Sequence, residues 1–159
     1  MGLNIELKEQ EAQPVMYIRA RTPFDELPLL IGESYRKIAQ YLEETGVEPA
    51  DAPYTAYYNL DMLDLDVEMG FPVAKPLPGK DDVKAGEVPR GKYVSCMYKG
   101  PYGMMESTYY EIFEWMEKNN LEPAGVYYEY YHNAPNEVPD SELLTRISIP
   151  VKLPALLDN

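Results

Sequence analysis

The sequence predicts an α+β fold in which two βαββ units form one curved antiparallel sheet, with both helices on one face and a ligand groove between the halves. Three observations lead to this fold: an internal repeat, the apolar–polar alternation typical of strands, and apolar stripes at helical spacing. The chain has 159 residues, enough for one domain or two small ones, and we expect a single domain over residues 1–159.

The repeat consists of short segments that recur in the same order in both halves. Residues 21–24 match 99–102, 41–49 match 115–123, 57–59 match 131–133, and 70–73 match 148–151. One such match could arise by chance, whereas four in the same order indicate two copies of one unit. We place the first copy at about residues 1–77 and the second at about 81–154. Neither copy is large enough to bury a good core alone.

The first unit is typical of strand, helix, strand, strand. Residues 14–21 alternate in the manner of a strand, and apolar residues recur at helical spacing from Leu27 to Leu42. Gly46 is placed to end that helix, because glycine readily adopts the left-handed conformation found there. Two further strands are predicted near residues 54–59 and 64–73.

The second unit repeats this order. We predict a strand over residues 92–98, a turn at Gly100, a helix from Met105 to Met116, and strands over 126–132 and 144–153. Tyr35 and Tyr109 lie on the apolar helical stripes, which favours a core position for both. Residues 74–87 contain prolines, a glycine and mixed charges, and are interpreted as a linker loop.

Charge excludes several classes of partner. The formal net charge is −13 and the isoelectric point is about 4.4, so the chain lacks the cationic surface that binds nucleic acids or anionic membranes. It has no apolar run long enough to span a bilayer, and its polar N-terminus does not resemble a signal peptide. We therefore expect a cytoplasmic protein with no nucleic-acid or membrane partner.

Cysteine and histidine each occur once, as Cys96 and His132. An intrachain disulfide and a zinc site built from Cys and His are therefore impossible. Cys96 lies in an alternating strand and is interpreted as a core residue, with a reactive thiol as the alternative. Glycine-rich nucleotide-binding motifs do not occur. We expect neither a metal nor a cofactor.

Tyrosine is the unusual feature of the composition, with 15 residues against 3 Phe and 1 Trp. Strand alternation places Tyr127, Glu129 and Tyr131 on one face of the strand over residues 126–132. Tyr57 aligns with Tyr131 in the repeat, whereas Glu129 aligns with Thr55, so the repeat itself does not require this carboxylate. A carboxylate among aromatic rings is suited to an organic cation. The alternative is an exposed edge-strand glutamate with tyrosines chosen for β-propensity.

The groove is expected on the face of the sheet opposite the helices. Pairing the two units buries both helical stripes on one face and leaves the other face open where the halves meet. Ligand grooves commonly form at such junctions.

The closing segments 128–135, 137–139 and 142–151 resemble those of the gyrase-inhibitor-like (GyrI-like) family, also called AraC-type effector-binding domains. Residues 66–73 and the turn 100–102 are similar to further family segments. The resemblance implies a duplicated SHS2-type fold and multidrug binding, in which Glu129 recognises cationic aromatic ligands and Tyr131 fills the family's tyrosine position. Arg146 departs from the pattern, since an acidic residue often stands there, and suggests a salt bridge nearby. Transcription factors of the family carry a helix-turn-helix domain, for which this chain has no room, so we expect a stand-alone member.

Three functions remain open. The first is binding of amphipathic, cationic aromatic small molecules by Glu129, Tyr131, Tyr127 and Tyr57. The second, implied by family members that resemble hydrolases of cyclopropane-containing compounds, uses Glu129 as a general base. The third is a gyrase-inhibitor-like protein-interaction module, for which the acidic surface is the only support.

Overall fold

The computed structural model describes residues 3–152, and the end of the second predicted copy, residues 153–154, lies outside them. The strands are β1 (Ile5–Gln10), β2 (Gln13–Thr22), β3 (Tyr54–Tyr57), β4 (Leu65–Pro72), β5 (Lys84–Val88), β6 (Gly91–Lys99), β7 (Tyr127–Tyr131) and β8 (Leu144–Pro150). The helices are α1 (Leu27–Thr45) and α2 (Glu106–Lys118). All strands pair antiparallel in the order β1-β6-β8-β7-β3-β4-β2-β5, which confirms the predicted fold class.

Each half begins with a strand that the sequence pattern does not predict and that joins the other half. β1 pairs with β6 of the second half, and β5 pairs with β2 of the first. The predicted linker over residues 74–87 is therefore wrong from Lys84 onward. Both strands lie at sheet edges and are largely exposed, so they lack the alternation that marks a half-buried strand. Their charged residues are typical of edges that avoid further pairing.

Both helices cover the same face of the sheet. α1 ends at Gly46 with φ of 71°, as predicted, and packs on Met16, Val67 and Met69. α2 packs on a second cluster that includes Ile147 and the buried Cys96, which confirms the core interpretation of that thiol. None of the helices between residues 3 and 152 is long and apolar enough to cross a membrane.

The helix-free face is filled rather than open. The tyrosines that occupy it are at most 5% exposed; they are Tyr54, Tyr93, Tyr128 and Tyr130. β1 and β2 stand near opposite ends of the strand order, yet only Glu11 and Ala12 connect them. The sheet must therefore curl until its ends approach, and the curl encloses these rings. The prediction of an open ligand groove around Glu129 on this face is therefore wrong. A cleft of about 370 Å³ does remain on this face, beside Ser95 and Arg146.

Candidate ligand-binding site

The two halves meet where β3 pairs with β7, at the centre of the sheet. In this pairing Thr55 lies directly opposite Glu129. Both residues share the helix-covered face, because their cross-strand neighbours Met69 and Ile147 belong to the clusters under α1 and α2. The equivalence of Thr55 and Glu129 in the repeat is therefore also an equivalence in space.

Glu129 is held by tyrosine hydroxyls on both carboxylate oxygens. Tyr109, from α2, donates to Oε2 at 2.6 Å, and Tyr131 donates to Oε1 at 2.9 Å. The ring of Tyr131 in turn meets that of Tyr102 edge to face, with 5.6 Å between ring centres. The carboxylate is thus fixed in place by a helix, its own strand and the turn before α2.

Burial dominates the electrostatics of the site. Burial raises the pKa of the Glu129 carboxyl above its ordinary value of 4.5, and the two hydroxyl hydrogen bonds lower it only in part. Burial, followed by the charge of Glu129, raises the pKa of both Tyr109 and Tyr131, which therefore remain donors at neutral pH. None of the ion pairs formed within residues 3–152 includes Glu129.

The first half supplies the other side of the site. Tyr35 reaches from α1 to Thr55, with 3.0 Å between the two hydroxyl oxygens. Burial and the charge of Glu129 raise the pKa of Tyr57. This side offers hydroxyl groups and aromatic rings in place of a carboxylate.

Of the four predicted ligand-binding residues, Glu129, Tyr131 and Tyr57 come together. Tyr127 lies on the same face but packs edge-on against Tyr109 and Phe113, with ring-centre separations of 6.5 and 5.9 Å. Its place is the wall of the site next to α2.

Tyr35 and Tyr109 are site residues that sequence reasoning assigns to the core alone. Their rings do pack beside the two helical clusters, as the apolar stripes predict, but their hydroxyls point to the centre of the sheet. The repeat holds the missing signal, because each tyrosine precedes its partner, Thr55 or Glu129, by 20 residues. Tyr102, 41% exposed at the edge of the site, was predicted only as part of a turn.

Arg146 does not alter the charge around Glu129. It lies on the helix-free face, beside Tyr130 in the β7–β8 pairing, with its guanidinium 4.1 Å from the centre of that ring. The guanidinium donates to Asp51 at 2.9 Å and to His132 Nε2 at 3.1 Å. The salt bridge suggested by the sequence therefore exists, on the opposite side of the sheet.

The model of the GyrI-like small molecule binding domain matches residues 3–152. The chain belongs to the GyrI-like family. It is therefore a small-molecule-binding domain, as the sequence resemblance implies. No curated protein sequence matches the chain.

Solved structures with this fold agree with that assignment. The C-terminal domain of EcmrR is 23% identical, with a TM-score of 0.81, and the match covers 96% of this GyrI-like domain and 99% of that chain. EcmrR in a complex with DNA is 20% identical with the same TM-score of 0.81, and the match covers 94% of this chain but only 57% of that one. This chain therefore spans little more than half the length of that EcmrR chain.

Two more distant neighbours also share the fold. A hydrolase from Listeria innocua is 16% identical with a TM-score of 0.68, covering 93% of this chain and 91% of that one. SAV2435, solved with tetraphenylphosphonium bound, is 10% identical with a TM-score of 0.62, covering 94% of each chain. At these identities the likeness establishes the fold alone.

Proposed function

We propose that this GyrI-like domain binds amphipathic aromatic cations between α1 and α2, with Glu129 as the counter-charge. The observation that carries the proposal is a half-buried carboxylate whose two oxygens are held by tyrosine hydroxyls and which has no ion-pair partner within residues 3–152. Ionising a buried carboxylate without a counter-ion is unfavourable. A bound cation removes that penalty.

Tyrosine rings around the carboxylate add to the attraction. Tyr57, Tyr102, Tyr109 and Tyr131 surround Glu129, and its charge contributes to the raised pKa of each. A cation over an aromatic face gains about 0.5–2 kcal/mol. A ligand that combines a positive charge with flat or bulky apolar groups therefore matches both features, and the tetraphenylphosphonium bound by SAV2435 is such a molecule.

Titration calorimetry with tetraphenylphosphonium tests this function. We expect Glu129→Gln to weaken binding by at least about tenfold, equivalent to about 1.4 kcal/mol, because the shape is kept and the charge removed. Glu68→Gln is the matched control, since Glu68 also accepts hydrogen bonds from two tyrosines but lies on the helix-free face. Equal affinity in wild type and Glu129→Gln would contradict the proposal.

Hydrolysis is a second candidate for the same carboxylate. A glutamate with a raised pKa can accept a proton from water, and Tyr109, at 2.6 Å, can supply one to a leaving group. The hydrolase from Listeria innocua shares the fold. Incubation with a strained-ring electrophile, followed by NMR, distinguishes the two functions. Ring opening that disappears in Glu129→Gln but persists in Glu68→Gln favours hydrolysis, and an unchanged compound counts against it.

A further inference from the structure

The geometry points to a site that accepts one positive charge and fixes which end of the ligand carries it, with Thr55 as the residue that sets this limit. The inference rests on the proposed function, because it takes Glu129 as the counter-charge. It goes further by naming the class of cation and the direction in which that cation binds.

The site is built from three pairs of equivalent residues. Members of each pair are 74 positions apart in the chain: Tyr35 and Tyr109, Thr55 and Glu129, Tyr57 and Tyr131. The helix tyrosine reaches the strand residue in both halves, at 3.0 Å from Tyr35 to Thr55 and at 2.6 Å from Tyr109 to Glu129. An approximate twofold axis therefore passes between Thr55 and Glu129, which lie directly opposite each other.

Only one of these pairs breaks the symmetry in charge. The α2 side has the carboxylate of Glu129, whereas the equivalent place on the α1 side has the hydroxyl of Thr55, which is fully buried. A second positive charge on a ligand would meet the Tyr35 and Thr55 hydroxyls, while Glu129, the carboxylate on the β3–β7 pair, would already be paired with the first charge. Placing an unpaired charge in such a desolvated position is strongly unfavourable.

A carboxylate at both places would not behave as two charges. Residues directly opposite on antiparallel strands have Cβ atoms about 4.5–5.5 Å apart. Two carboxylates at that distance raise each other's pKa, and one of them tends to hold a proton. Thr55 therefore gives Glu129 a neutral neighbour and leaves the site with a single ionisable carboxyl on the β3–β7 pair.

This asymmetry gives the bound ligand a direction. The cationic centre lies against Glu129, Tyr109 and Tyr131, and the uncharged aromatic part extends towards Tyr35 and Thr55. Amphiphiles with one positive end fit this arrangement. Rigid dications with a charge at each end do not.

Two probes of nearly the same shape separate these classes. N-methyl-4-phenylpyridinium carries one charge, and N,N′-dimethyl-4,4′-bipyridinium carries a second at the opposite end. At physiological ionic strength, which screens the overall negative charge of the protein, we expect wild type to bind the monocation at least about tenfold more tightly by calorimetry. Equal or tighter binding of the dication would overturn the inference.

Exchange of the two residues tests the symmetry itself. Glu129→Thr alone is expected to lose monocation binding, and adding Thr55→Glu is expected to restore it, because Tyr35 and Tyr57 then take the places of Tyr109 and Tyr131. Circular dichroism checks that the double variant folds. A folded double variant that does not bind the monocation overturns the inference, and if the variant does not fold, the two probes on wild type still decide.

The two proposals fail in different ways. If Glu129→Thr leaves monocation affinity unchanged, the proposed function itself is wrong. Suppose instead that Glu129→Thr no longer binds the monocation, while wild type binds the dication as tightly as the monocation. Glu129 is then the counter-charge, but Thr55 does not limit the number of positive charges on the ligand.

Discussion

Two glutamates on opposite faces of the same sheet each accept hydrogen bonds from two tyrosines, yet only one of them has an arginine as a cross-strand neighbour. On the helix-free face, Glu68 of β4 accepts from Tyr54 and Tyr58. Arg19 lies directly across from it on β2, with its guanidinium 3.7 Å from the centre of the Tyr58 ring. Glu129, on the helix-covered face, has Thr55 across from it instead.

The two glutamates therefore differ in the charge of the residue that lies across the strand from each. Arg19 pairs with Asp66 at 2.8 Å, and its pKa is raised chiefly by Asp66 and in smaller part by Glu68. Glu68 therefore lies near a guanidinium that is itself paired with Asp66. Glu129 has the same kind of hydroxyl donors but a neutral neighbour, Thr55, and under our proposal its charge serves a ligand. A Glu–Tyr pattern in the sequence of one strand does not show whether the residue across from the glutamate is charged or neutral.

The largest effect on stability is expected at Glu68. Glu68→Gln removes the charge that attracts Arg19 and weakens the hydrogen bonds from the buried Tyr54 and from Tyr58. We expect the free energy of unfolding to fall by about 2 kcal/mol, since hydrogen bonds to charged groups are worth about 1.5–3 kcal/mol. Urea denaturation measures this change. Unaltered stability would mean that Glu68 is not a structural carboxylate, and the contrast between the faces would be lost.

Glu129→Gln is expected to change stability in the opposite direction. Burial raises the pKa of Glu129 in the folded state. Its contribution to stability is therefore complete below the unfolded pKa and is lost as pH rises through the folded pKa. Glutamine does not ionise, so near neutral pH the variant should be more stable than wild type.

Urea denaturation of ligand-free protein at several pH values tests this prediction. The advantage of Glu129→Gln should vanish near about pH 3, where glutamate is protonated in both states, and grow towards about pH 7. A constant difference at all pH values would show that ionisation of Glu129 is not its cause. Stability gained together with ligand binding lost is the pattern expected of a binding carboxylate.

Much of the fold follows from sequence because its signals are local. The helical stripe and Gly46 predict α1, and alternation predicts the central strands that carry Glu129 and Tyr131. β1 and β5 are missed because exposed edge strands carry little apolar pattern. The direction of the groove is missed because it depends on the curl of the sheet, which arises from pairings distant in sequence, such as β1 with β6.

The site is predictable to the extent that strand alternation defines it. Glu129, Tyr131 and Tyr57 follow from period-two placement and from the repeat. Tyr35 and Tyr109 do not, because helical spacing shows which face a ring occupies but not what its hydroxyl reaches. Reading the repeat for equivalent hydrogen-bond pairs would have placed both tyrosines opposite Thr55 and Glu129.

The smallest effect on ligand binding is expected from Arg146→Gln, which tests whether the two faces act independently. Arg146 pairs with Asp51 at 2.9 Å, and the side chains are 23% and 40% exposed, so we expect to lose about 0.5–1 kcal/mol of stability. Tetraphenylphosphonium affinity should change by less than about twofold, or about 0.4 kcal/mol, because the guanidinium lies across the sheet from Glu129 and is already paired. A tenfold change, about 1.4 kcal/mol, would mean that charge on the helix-free face reaches the site through the sheet, and the role of Glu129 would then depend on both faces rather than on its cross-strand neighbour.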